Sequence, residues 1–261
     1  METKLPLYRN ALDCMRRLRQ DGKPVLLLSN APRRAVDVVP HLEGMGVTRE
    51  YFDHLLTSGD LTRRAVEINA PPLPGRNYFH LGPQRDRGIL AGIDARKVER
   101  IAEADFILCS GLYNDETETP EDYRDMLYEA HQLQLIMLCA NPDLTVMRGP
   151  KVLPCAGLLA KAYAELGGTV HYFGKPHMVA YEGCLEVIGR PANRLLAVGD
   201  TLRTDILGAN QAGIDCLLVT GGIHAEEWGL DPGGLPSDAQ VRAASQLWGA
   251  VPTGIIAELA W

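Results

Sequence analysis

The chain has 261 residues, which at about 150 residues per domain means two domains or one domain with a sizeable insertion. Hydrophobic residues make up 46% and charged residues 23%, a globular balance that excludes general disorder. Lys plus Arg is 26 and Asp plus Glu is 33, and the net charge of −7 disfavours nucleic acid or an anionic membrane as partner. The longest apolar runs, 25–28 and 135–140, fall far short of the roughly 20 residues that span a bilayer. The first ten residues carry no signal-peptide core, so a cytoplasmic location is expected.

In chain order, residues 7–20 place Leu7, Ala11, Met15 and Leu18 on one face, gather Arg16, Arg17 and Arg19 late, and stop near Gly22, which predicts an amphipathic helix. Residues 24–28 (Pro-Val-Leu-Leu-Leu) do not alternate, the pattern of a strand buried on both faces inside a parallel sheet. Comparable runs recur at 78–81, 106–109, 135–139, 170–173, 195–198 and 216–219. Thr119-Pro-Glu-Asp122 supplies an N-cap, a first-turn proline and acids ahead of an apolar stripe of Tyr123, Met126, Leu127 and Ala130. Further helices are predicted over 155–166, over 177–188 with Gly189 as stop, and over 206–211. Strand and helix alternating in this way predict an α/β protein. The Pro/Gly-rich stretch 70–75 and the segment 147–151 are the expected internal boundaries. Six cysteines, mostly inside apolar runs and without metal-ligand spacing, predict buried reduced thiols and no zinc site.

In open α/β sheets ligands bind beyond the carboxyl ends of the strands, so the polar residues there matter most. Ser29 and Asn30 end the first apolar run with a hydroxyl and an amide, although Asn30 before Ala31-Pro32 also reads as a helix N-cap. Asp200 follows Leu-Leu-Ala-Val-Gly, and Asp205 comes five residues later. Two carboxylates on one strand-to-helix loop suit Mg²⁺, or they cap a helix and face solvent. Lys175 follows the run at 170–173 and offers a point charge for phosphate or carboxylate. Asn141-Pro142-Asp143 either faces substrate or forms an ordinary turn.

The order Leu-Leu-Leu-Ser29-Asn30, Gly174-Lys175-Pro176 and Gly199-Asp200 with Asp205 resembles motifs two to four of the haloacid dehalogenase (HAD) superfamily, class IIA, the NagD-like branch. Thr57-Ser58-Gly59, Cys155-Ala156-Gly157 and Thr220-Gly221-Gly222-Ile223-His224 add to the likeness. The resemblance implies a Rossmann-like parallel-sheet core over 1–59 and 166–261 and an inserted α/β C2-type cap over 60–165. It implies a Mg²⁺-dependent phosphatase acting on a small phosphorylated metabolite, a sugar phosphate or a nucleotide, and a homodimer. Ser29 and Asn30 would bind the transferring phosphoryl group, Lys175 would bind substrate and neutralise phosphate and nucleophile charge, and Asp200 and Asp205 would serve the metal.

The same resemblance requires an Asp-x-Asp pair at the end of a first core strand, and residues 1–6 hold neither an apolar strand nor an aspartate. The first core strand is therefore expected to be missing and turnover by this chain is in doubt. Three explanations follow: that the chain starts at an internal methionine, that the flanking strands close up and pair, or that the run 253–257 supplies the strand. A noncatalytic phosphometabolite-binding or scaffold protein is the rival. A Rossmann-type cofactor enzyme is a weaker one, since no Gly-x-Gly-x-x-Gly follows a strand.

Overall fold

A computed structural model describes residues 9–149 and 151–261. Helix α1 (Arg9–Gln20) ends in Gly22 at φ +69°, where the Lys23 amide donates back to the Leu18 carbonyl. Residues 7 and 8 of the predicted helix lie outside the described residues. Strand β1 (Leu26–Ser29) and helix α2 (Ala35–Gly44) precede β2 (His54–Thr57), which runs directly into α3 (Ser58–Glu67). Asp53 ties the start of this region together. It takes two bonds from the Arg19 guanidinium at 3.0 and 2.8 Å and one from the Val25 amide at 2.8 Å.

Next come β3 (Asn77–Leu81), β4 (Arg96–Val98), β5 (Phe106–Cys109), α4 (Arg124–Gln132) and β6 (Ile136–Cys139). Hairpin β7 (Thr145–Arg148) and β8 (Lys151–Pro154) leads into α5 (Ala156–Glu165) and β9 (Val170–Tyr172). The last stretch holds α6 (Met178–Ile188), β10 (Leu196–Gly199), α7 (Leu207–Gln211), β11 (Asp215–Val219), α8 (Asp238–Trp248) and β12 (Gly254–Ile256).

The chain divides into two compact units. The first gathers Ser29–His41 and Leu56–Gly174, and the segment 60–165 lies wholly inside it. Its sheet has the order β4-β3-β5-β6-β9, parallel throughout. β5 is buried at all four positions, as its unbroken apolar run requires, and α4 and α5 cover it with Leu127, Ala130, Leu159 and Tyr163. The Tyr163 hydroxyl donates to the Leu135 carbonyl at 2.6 Å. Segment 147–151, expected as a boundary, carries the turn of hairpin β7–β8.

The second unit gathers 9–28, Leu42–Leu55 and Lys175–Trp261, with the parallel sheet β10-β11-β12. Two of the three explanations for the first core strand are corrected here. β12 pairs with β11 on the side away from β10, because the Thr253 amide and hydroxyl are already bonded to Cys216, so the 253–257 run does not sit beside β10. β1 and β10 stay in separate sheets, so the flanking strands have not closed up. All six cysteines are free and buried, and among the described residues no helix is long and apolar enough to cross a membrane.

Candidate active site

In the first unit the Ser29 Oγ accepts from the Ala31 amide at 3.1 Å, which bends the chain sharply as it leaves β1. Asn30 is buried and its side-chain amide donates to Asp143 Oδ1 at 2.9 Å. Asn30 is not a helix cap, contrary to that expectation. α2 starts five residues later, and its first amide, at Ala35, donates to Asp60 Oδ2 at 2.9 Å. Asp143 in turn closes a turn in which its amide donates to Asn141 Oδ1 at 3.1 Å. The Asn-Pro-Asp segment is thus both a turn and the support of Asn30.

Three glycines explain the accessory motifs. A Cβ on Gly59 would stand 2.0 Å from the Pro32 carbonyl oxygen, so Thr57-Ser58-Gly59 lets the loop after Asn30 lie against the start of α3. A Cβ on Gly157 would meet the Pro142 and Asp143 carbonyl oxygens at 2.3 and 2.5 Å, which fixes Cys155-Ala156-Gly157 against the Asp143 turn. Gly174, at φ +132°, would place a Cβ 2.3 Å from Ser58 Oγ and 2.6 Å from Asn30 Oδ1. Ser58 Oγ is buried and has no hydrogen-bond partner among the described residues.

In the second unit Lys175 Nζ donates to Asp205 Oδ1 at 2.7 Å, and the Thr201 amide donates to Asp205 Oδ2 at 3.1 Å. Asp205 is therefore not a solvated first-turn acid; its side chain is 13% exposed. It is presented by a single π-helical turn (Leu202–Ile206), in which both the Asp205 and Ile206 amides donate to the Thr201 carbonyl. Asp200 caps neither this turn nor α7. Its Oδ2 accepts from the Ile223 amide at 3.2 Å and its Oδ1 from the Thr201 hydroxyl at 3.3 Å. A Cβ on Gly222 would come within 2.3 Å of Asp200 Oδ2, so the Thr220–His224 motif is the cradle of this carboxylate. His224 accepts from the Leu202 amide at 3.3 Å and stacks on Trp228 at 5.0 Å.

Among the described residues no group of three or more His, Cys, Asp or Glu gathers as a metal site. A hard cation nonetheless fits the donors present. Asp200 is an oxygen donor with no cationic partner among the described residues, held by two long hydrogen bonds, and Asp205 shares Thr201 with it.

Sequence reasoning missed a buried polar cluster in the first unit. His80 Nε2, on β3, and Ser110 Oγ, just after β5, lie 2.9 Å apart, and burial holds the imidazole down at about 4. Asp86, close by, has one buried carboxylate oxygen with no partner among the described residues. Burial raises its pKa to about 6, and the Arg85 and Arg33 charges offset this only in part. Because the folded value exceeds the ordinary 3.8, ionised Asp86 lowers stability, at a cost that grows from pH 3.8 to about 6 and is constant above. His80 acts in the opposite sense, losing stability as pH falls from 6.5 through about 4. Asp86→Asn is expected to raise unfolding free energy at pH 7 by roughly 1 to 3 kcal/mol, with the gain vanishing near pH 4, in urea titrations across that range.

Comparison with known proteins names the class. A family model described as haloacid dehalogenase-like hydrolase matches residues 4–96, and a HAD-hydrolase-like model matches 172–244. A haloacid dehalogenase-like hydrolase from Brucella suis 1330 superposes with a TM-score of 0.82 at 35% identity, covering 98% of this chain and 91% of that one. The D-glycerol 3-phosphate phosphatase of Mycobacterium tuberculosis is 28% identical over 209 residues, 78% of this chain and 56% of its own. The ribonucleotide monophosphatase NagD of Escherichia coli is 32% identical over 89 residues, 34% of each chain. The chain thus spans between about a third and just over half of these two curated relatives. It belongs to the haloacid dehalogenase-like hydrolases.

Proposed function

We propose that the chain carries the phosphate- and cation-binding chemistry of a phosphomonoester hydrolase for a small phosphorylated metabolite, a sugar phosphate or a nucleotide. The observation that carries this reading is the 2.7 Å Lys175–Asp205 pair, whose aspartate shares the loop after β10 with Asp200. In this reading Ser29 and Asn30 receive the phosphoryl oxygens. Lys175, aimed by Asp205, neutralises their charge, and Asp200 holds Mg²⁺ with Asp205 in support. Bound Mg²⁺ would supply further charge neutralisation at the phosphoryl oxygens. Phosphoryl transfer depends mainly on such positioning and electrostatics, so these residues account for most of the binding side of catalysis. The relatives that hydrolyse glycerol 3-phosphate and ribonucleotides support the substrate class.

The rival reading is a noncatalytic phosphometabolite-binding or scaffold protein. The test is p-nitrophenyl phosphate hydrolysis with Mg²⁺, alongside vanadate binding by calorimetry. Turnover by this chain would end the binding-only reading; absence of both turnover and Mg²⁺-dependent vanadate binding would end the phosphatase reading. Asp200→Asn is expected to weaken Mg²⁺ affinity about tenfold or more while leaving the fold intact, in a Mg²⁺ titration followed by calorimetry.

A further inference from the structure

Ser58 is fully buried at the first position of α3, yet its hydroxyl has no hydrogen-bond partner among the described residues. The neighbouring hydroxyls are used. Thr57 Oγ1 donates to Asp60 Oδ2 at 2.7 Å and accepts from the Asp60 amide at 3.0 Å, and Thr62 Oγ1 donates to the Ser58 carbonyl at 2.7 Å. A serine inside a helix can turn back onto the carbonyl four residues earlier, but from the first helical position that carbonyl lies on β2. A buried hydroxyl without a partner lowers stability, and an alanine of nearly the same size would not. Packing alone gives no reason for this oxygen.

Gly174 brings the hydroxyl close to Asn30. A Cβ on Gly174 would stand 2.3 Å from Ser58 Oγ, 2.6 Å from Asn30 Oδ1 and 2.8 Å from Pro142 Cδ. Both oxygens therefore crowd one point, which only a residue without a side chain leaves open to them. Pro142 belongs to the turn whose Asp143 accepts from the Asn30 side-chain amide at 2.9 Å. Asp143 thus pins the nitrogen end of the Asn30 amide plane, and a donor at Oδ1 would pin the other end.

We propose that Ser58 is a positioning residue for Asn30. When a phosphoryl group occupies the site, the Ser58 hydroxyl donates to Asn30 Oδ1. With Asp143 at Nδ2, the amide plane is then fixed at both ends and presents an Nδ2 hydrogen to a phosphoryl oxygen. The contact orders one side-chain torsion, a small entropy cost. In the unliganded chain the hydroxyl stays unpaired, so stability is given up for binding. This inference rests on the proposed role of Asn30 as a phosphoryl-binding residue.

The experiment measures vanadate affinity with Mg²⁺ by calorimetry, and melting temperature, for the unaltered chain, Ser58→Ala, Ser58→Cys, Asn30→Ala and the double variant Asn30→Ala/Ser58→Ala. Ser58→Ala is expected to melt at the same or a higher temperature and to bind vanadate about tenfold more weakly. Ser58→Cys, which keeps a weaker donor in a similar shape, should fall between. In the Asn30→Ala background the loss of the Ser58 hydroxyl should have no further effect on affinity. With isotope-labelled asparagine, the Asn30 side-chain amide signal should shift when vanadate is added to the unaltered chain and shift less in Ser58→Ala. The proposal is overturned if Ser58→Ala binds vanadate as the unaltered chain does, if it melts lower, if the Asn30 signal shifts equally in both, or if the two substitutions weaken binding independently. Failure of Ser58→Ala alone to weaken binding removes only the role of Ser58. Equal binding by Asn30→Ala, or no vanadate binding by the unaltered chain, removes the role of Asn30 as well.

Discussion

Lys175→Met is expected to lower the unfolding free energy by about 2 to 4 kcal/mol, because it strands the largely buried Asp205 carboxylate without its cation. Urea denaturation measures this directly. The double variant Lys175→Met/Asp205→Asn should lose less than the sum of the two single losses, by about 1 kcal/mol or more, since the second change removes the uncompensated charge. Additive losses would mean that the 2.7 Å contact is not a mutual interaction. The partly buried setting matters here, because a fully exposed pair at the same distance would contribute under about 1 kcal/mol.

Gly59→Ala is expected to cost about 3 kcal/mol and to disturb Asn30 without touching it. The added methyl would lie 2.0 Å from the Pro32 oxygen and 2.7 Å from the Pro32 carbonyl carbon, both backbone atoms that cannot rotate away. The loop after Ser29 must move, so vanadate affinity should fall together with the melting temperature. Gly44→Ala is the control. Gly44 has open space where its Cβ would go and sits at the end of α2 without a positive φ, so the substitution should be neutral or stabilise by about 0.5 kcal/mol. If both variants melt alike, the close approach of the two loops is wrong.

The α/β alternation was legible because its signals are local. The unbroken runs at 106–109, 170–173 and 216–219 fall on β5, β9 and β11, and Gly22 and Gly189 end their helices in the left-handed region. The hairpin β7–β8 was not legible. Arg148, Gly149 and Lys151 resemble a linker, and only the pairing of Thr145 with Pro154 makes strands of the flanking residues. α8 was missed although a capping box at Ser237 and Gln240 opens it and Gly249 closes it in the left-handed region. For the site, the sequence order singled out Ser29, Asn30, Lys175, Asp200 and Asp205 as candidates, yet it gave no hint that Asp143 holds Asn30 or that His80 meets Ser110. Those contacts join residues far apart in the chain, and a single sequence carries no record of such proximity.

The π-helical turn at Leu202–Ile206 has a consequence for how this loop can vary in length. A π turn is an α turn with one residue added, so deleting any one of residues 202–204 would restore ordinary helix and swing Asp205 by about 100° around the axis, away from Lys175. Proteins that keep this lysine–aspartate partnership should tolerate exchanges of side chain at Arg203 far better than they tolerate a change in the number of residues between Asp200 and Asp205.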